Sequence, residues 1–133
     1  MAGNTPLSLV PPQRGIIFFA HGSRDPLWRA PIEAVATALK QQQPEAQCTC
    51  AYLELTEPDL PTACAQLVHA GCNHITVLPM FLGTGRHARQ DLPVLVQNLR
   101  EHYRGVEFHI ATAVGEDPRL TQLMAAIAAQ YIA

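Results

Sequence analysis

The sequence predicts one three-layer α/β/α domain, built on a four-stranded parallel sheet and running over residues 15–133. Three observations predict it. Four short runs rich in apolar, β-branched and aromatic residues are spaced along the chain, each of strand rather than helix length. Each run is followed by a segment with helical periodicity. The connections are short, with no internal linker, sustained repeat or low-complexity stretch. Strands that alternate with helices lie parallel, because each crossover returns the chain over one face of the sheet, and right-handed crossovers place helices on both faces.

The first run, GIIFFA at 15–20, reads as a strand buried on both faces. Asp25-Pro26 then signals a start, and residues 27–43 set Trp28, Ile32, Val35 and Leu39 near one helical stripe that Pro44 ends. QCTCAYLEL at 47–55 is the second strand. Asp59 reads as the N-cap of a helix with Leu60, Ala63, Cys64, Leu67 and Val68 on one face, closed by Gly71. HITVLPM at 74–80 is a third buried strand, and FLGTGRHARQ at 81–90 reads as a long turn before a helix carrying Leu92, Leu95, Val96, Leu99 and Tyr103. VEFHIATAV at 106–114 is the fourth strand. Asp117-Pro118 then gives an N-cap and an N1 proline to a last amphipathic helix with Leu120, Leu123, Met124, Ile127 and Tyr131.

Composition narrows the function classes. With 133 residues, 48% apolar and 15% charged, the chain fits one globular domain. Its net charge of −2 creates no field that would draw it to nucleic acid or to a membrane. The apolar runs are far too short to span a bilayer. The opening MAGNTPLSLVPPQRG lacks the basic and apolar regions of a signal peptide, so residues 1–14 read as a loose arm. Cys48, Cys50, Cys64 and Cys72 include no C-x-x-C pair and read as small apolar residues of a reducing, cytoplasmic compartment.

In an open parallel sheet, ligands bind beyond the carboxyl ends of the strands. His21 follows the first strand, Glu54 ends the second, and the third leads to Gly83, Gly85, Arg86, His87, Arg89 and Asp91. The glycines free the backbone of the third connection, and arginines near the amino end of a helix favour an anionic ligand. Gly22 reads as letting the backbone turn sharply so that the His21 imidazole can face a ligand. His69, His74 and His102 read as surface residues, and His109, between Phe108 and Ile110, as structural. Two imidazoles and a carboxylate suit a divalent metal such as Fe, Co, Ni or Zn. A histidine nucleophile for phosphoryl transfer is the other reading, but HGSR shares only two letters with the Arg-His-Gly signature of histidine phosphatases, and Ala20 stands where they carry arginine.

FAHGSRDP, YLELTEPDL and VLPMFLGTGRHARQDLP, in that order over roughly residues 15–115, together resemble the class II chelatases of the CbiX/SirB type, the small sirohydrochlorin chelatases. The resemblance implies a domain that is half of a two-domain chelatase, working as a homodimer. It implies insertion of Co²⁺ or Fe²⁺, or Ni²⁺ in some relatives, into sirohydrochlorin on the way to cobalamin or sirohaem. The metal is then a substrate, and no permanent cofactor is expected. The family's two active-site histidines fall on His21 and His87, and its acidic residue on Glu54, as metal ligands or proton acceptors. From the residues themselves, Arg24, Arg86 and Arg89 are placed to pair with carboxylates of the macrocycle, with Gly85 beside them. A non-catalytic carrier of metal or tetrapyrrole would use the same residues.

Overall fold

A computed structural model describes residues 11–133 of the chain. Four strands, β1 (Arg14–Ala20), β2 (Gln47–Tyr52), β3 (His74–Pro79) and β4 (Glu107–Ile110), form one parallel sheet in the order β2-β1-β3-β4. Four helices connect or follow them: α1 (Ala30–Gln42), α2 (Leu60–His69), α3 (Arg86–His102) and α4 (Pro118–Ala129). The predicted α/β/α architecture is therefore the one observed. The expected arm at 1–14 lies mostly outside the described residues, and Arg14 already belongs to β1.

β1 is central and buried on both faces, as its unbroken apolar run predicts. Ile17 and Phe19 enter a large core with Ile75, Val77, Leu67 and Val96, beneath α2 and α3. Phe18 turns to the opposite face and meets Ala36 of α1 and Cys48 of β2. β3 departs from the expectation of a fully buried strand. Ile75, Val77 and Pro79 are buried, whereas Thr76 and Leu78 on the α1 side are half-exposed. α1 covers only the β1–β2 half of that face, and α4 buries no residue at all. The apolar stripe read for α4 is present but faces solvent.

Local chemistry sets the boundaries. The Asp25 carboxylate accepts from the N–H of Leu27 at 2.9 Å, closing a turn, and α1 starts only at Ala30, followed by Pro31. The expected helical stripe thus loses Trp28, whose indole packs edge-on against Tyr52 at 6.0 Å between centroids. Asp59 caps α2 by accepting from the N–H of Thr62 at 2.9 Å. At its other end, the N–H of Cys72 donates to the Leu67 carbonyl at 3.0 Å around Gly71, whose φ of +98° completes a Schellman turn.

β4 is shorter than the predicted 106–114. The Ala111 N–H still reaches the Val77 carbonyl at 2.9 Å. The next donor on β3 belongs to Pro79, which has none, so the ladder stops there. The chain turns into a 3₁₀ segment, Val114–Glu116, before the Asp117 cap and Pro118 open α4 as predicted. Among the described residues no helix is long and apolar enough to cross a membrane.

Candidate active site

The strand order fixes where a site can form. α1 leaves β1 towards one face and α3 leaves β3 towards the other, so a crevice opens between the carboxyl ends of β1 and β3, the topological switch point. His21 is the first residue beyond β1, and His87 lies in the first turn of α3, after β3. They stand on the two sides of that crevice. Glu54 follows β2, the strand on the far flank of β1.

His21 is half-buried and held from two directions. Its ring lies against Phe81, 4.7 Å between centroids and tilted by 39°, and Phe81 in turn meets Phe19 edge-on at 6.2 Å. Its carbonyl accepts from the N–H of Glu54 at 2.9 Å, while Ala20 accepts from Leu53 at the same distance, so the β1–β2 pairing continues past both strands. Gly22 has a φ of +102°, and a Cβ there would fall on the Glu54 carbonyl oxygen. The glycine therefore admits the backbone of the neighbouring loop, whereas the expectation was that it made room for an incoming ligand.

The hydroxyl of Thr56 ties the two loops together. It accepts from the N–H of Ser23 at 2.9 Å and donates to the Ser23 carbonyl at 2.8 Å. Leu55, with a φ of +64°, sits in the left-handed region and tightens the bend that presents Glu54. Neither Thr56 nor Phe81 stood out in the sequence. The usable signal for Phe81 was its place directly after the third strand; nothing in the sequence marked Thr56.

His87 is exposed on a helix and not in the long turn expected at 81–90, since α3 begins at Arg86 with Gly85 as N-cap. The helix runs through Pro93, which forfeits one backbone bond at a cost of up to about 3 kcal/mol. Burial of Ala88, Leu92, Val96 and Leu99 along one face offsets it. Arg86 and Arg89 thus crowd the positive end of the helix dipole beside His87, where a cation disfavours the helix by about 0.3–1 kcal/mol each. Arg24, Arg86 and Arg89 are exposed and make no ion pair with another described residue. Such a cluster lowers helix stability while leaving guanidinium groups open to an anion.

The sequence-derived residues are thus gathered on one edge of the sheet, though not into one compact cage. Among the described residues no three His, Cys, Asp or Glu side chains are assembled to hold a metal ion. A concavity of about 650 Å³ is lined by the 52–59 loop and includes Glu54 but neither histidine. His74 lies at the amino end of β3, 3.1 Å from Glu107, and His109 lies in the middle of β4 opposite Thr76, so both are away from the carboxyl edge. All four cysteines are free; burial pushes the Cys64 thiol up to about 11 and raises that of Cys72.

A parallel β2-β1-β3-β4 domain with histidines flanking its switch point belongs to the class of open α/β proteins, whose ligands as a rule bind at the carboxyl edge. Comparison with known proteins narrows that class. The CbiX family model matches residues 15–131, and the chain belongs to that family. It is 27% identical over 110 residues to the sirohydrochlorin cobaltochelatase of Sulfolobus acidocaldarius, covering 83% of this chain and 85% of that protein. Its fold is similar to the crystal structure of a CbiX protein from Marinobacter aquaeolei VT8, with TM-score 0.78 and 32% identity over 90% of this chain and 98% of the other. It also resembles the sirohydrochlorin chelatase SirB of Bacillus subtilis subspecies spizizenii in complex with cobalt, with TM-score 0.72 and 25% identity; the match covers 83% of this chain and 47% of SirB.

Proposed function

We propose that the protein inserts Co²⁺ or Fe²⁺ into sirohydrochlorin, acting as a homodimer in the cytoplasm. The observation that carries the reading is the pair of imidazoles, His21 and His87, on the two sides of the β1/β3 switch point in a chain of the CbiX family. Relatives named cobaltochelatase and ferrochelatase supply the two metals.

Metallation exchanges two pyrrole N–H protons for one divalent ion, so the site must hold the ion, strip part of its water and accept two protons. Neutral imidazole can serve as ligand or as base, and a protonated ring can do neither. His21, fixed by Phe81 and by the Glu54 N–H, offers a ring in set orientation. His87, exposed on the other wall, is free to meet the macrocycle. Glu54, on the loop whose N–H donates to the His21 carbonyl, serves as third ligand or as the group that passes protons to water. The carboxylates of sirohydrochlorin pair with Arg24, Arg86 and Arg89 while the Gly85 backbone allows close approach. The unpaired, mostly buried cysteines suit a reducing compartment.

The test is anaerobic incubation of metal-free protein with excess sirohydrochlorin and Co²⁺, Fe²⁺ or Ni²⁺, following the ring's absorbance. Many turnovers per chain, faster than the protein-free reaction, are expected. A single stoichiometric binding step would mean a carrier, and no acceleration with any metal would end the enzymatic reading.

A further inference from the structure

We propose that Cys48 and Cys50 form a two-sulfur site for a soft monovalent metal ion of the Cu⁺ kind, on the α1 side of β2 and apart from His21 and His87. The two residues stand two apart on a strand, so their side chains leave the same face. Thr49 between them turns to the other side, where its hydroxyl meets Gln66 of α2. The Cys48 thiol lies 3.8 Å from the Ala36 carbonyl and the Cys50 thiol 3.9 Å from the Ile32 carbonyl. Those carbonyls are one helical turn apart, about 6 Å along α1 at ~1.5 Å per residue, so the thiols sit side by side. Both already accept from N–H groups of the helix, which leaves the sulfurs weakly held.

At ~3.3 Å per residue the two Cα atoms are about 6.6 Å apart, near the upper limit of about 6.8 Å for a disulfide. That spacing suits an ion between the sulfurs better than a direct S–S bond, and both cysteines are free. Among the described residues no third His, Cys, Asp or Glu completes a metal-binding group with them. A tetrahedral Zn²⁺ site is thereby excluded, whereas a soft ion satisfied by two thiolates fits. Binding forms two S–Cu bonds and releases two thiol protons to water, with no change of oxidation state.

A second observation points to the same place. Tyr52, the next residue on this face of β2, is 2% exposed, and its hydroxyl has no hydrogen-bond partner. The phenol lies beside Cys50: burial raises the Cys50 thiol above its ordinary value, and the Tyr52 phenol acts in the opposite direction. A buried O–H without an acceptor gains a strong one when Cys50 becomes a metal-bound thiolate. A cleft of about 260 Å³ lined by Glu33, Lys40, Cys48, Cys50, Tyr52 and Glu57 gives an ion its way in.

The test is an anaerobic titration of the reduced, metal-free, full-length protein with Cu⁺ supplied as its bicinchoninate complex, whose colour fades as the protein takes the ion. One ion per chain is expected, with two sulfur neighbours and no nitrogen in its X-ray absorption spectrum. Cys48→Ser and Cys50→Ser, with fold checked by circular dichroism, should each leave the ion with the chelator. Cys64→Ser/Cys72→Ser and His21→Ala should retain it. Tyr52→Phe should weaken binding by about 10- to 100-fold, the usual effect of losing a hydrogen-bond partner of a metal ligand, without destabilising the metal-free chain. No uptake against the chelator overturns the proposal. So does an ion with nitrogen neighbours, one lost in His21→Ala, or one kept by either single serine variant. Metallation of sirohydrochlorin by the copper-free wild type reports on the catalytic reading independently of these outcomes.

Discussion

Replacing Gly22 by alanine should cost far more than any other glycine change of similar backbone geometry. At φ +102° a side chain is strained by about 1–3 kcal/mol. The added Cβ would also fall on the Glu54 carbonyl, so the loop must shift and the bond from the Glu54 N–H to the His21 carbonyl is disturbed, about 0.5–1.5 kcal/mol more. The sum, about 1.5–4.5 kcal/mol, is a large share of the ~5–15 kcal/mol that holds a domain together. At roughly 4 °C per kcal/mol for a domain of this size, the melting temperature should drop by about 6–18 °C. Gly71 provides the control: its φ is +98°, yet nothing lies within 4 Å of a Cβ there, so Gly71→Ala carries the backbone strain alone, about 1–3 kcal/mol. Urea unfolding of the two variants, with metallation rates beside them, separates strain from collision. If Gly22→Ala loses no more stability than Gly71→Ala, the described packing of His21 against the Glu54 loop is wrong.

Thr56→Val removes the hydroxyl that both accepts from and donates to Ser23; a loss of about 1–3 kcal/mol in urea unfolding is expected, with a larger fractional loss of metallation rate than of substrate affinity, and an unchanged rate would remove Thr56 from the positioning of His21. Tyr52→Phe should be neutral or stabilising, because the buried hydroxyl has no hydrogen-bond partner and burial pushes its phenol up to about 12; a loss above about 1 kcal/mol would reveal a partner. Hydrogen bonds from Arg119 hold the Asp117 carboxyl down to about 2, against 3.8 ordinarily. A folded value below the unfolded one gives support that is complete above 3.8 and lost as pH falls towards 2. Amide resonances of the first turn of α4 should therefore move over that range in the wild type and stay put in Asp117→Asn.

Much of this organisation was legible in the sequence because local and tertiary signals coincide. GIIFFA is buried on both faces, and Asp59, Gly71 and Asp117-Pro118 mark the helix ends they predict. α3 misled because Gly83 and Gly85 read as part of a long turn through 90, while the burial of Ala88 rewards helix formation one turn earlier. β4 was over-extended because the missing donor of Pro79 acts across the ladder, on a strand thirty residues away in sequence, and periodicity does not report it. At the candidate site, the order along the chain was enough to place His21, Glu54 and His87 at the carboxyl edge, where the structure has them. It could not find Phe81 or Thr56, whose work is to hold His21 and to join its loop to that of Glu54, because contacts between loops of different strands leave no local pattern. The helical period of α4 was correctly read, but a period specifies an apolar face and not whether the sheet covers it.

The central claim is that His21 and His87 act together across the switch point. Its most direct test is the initial rate of Co²⁺ insertion into sirohydrochlorin by wild type, His21→Ala and His87→Ala, with fold checked by circular dichroism and macrocycle binding by fluorescence quenching. Each substitution should lower the rate by about 10²- to 10⁴-fold, the range for loss of a positioned acid–base group, while binding of the macrocycle changes little. Full metallation activity in either variant would contradict the account.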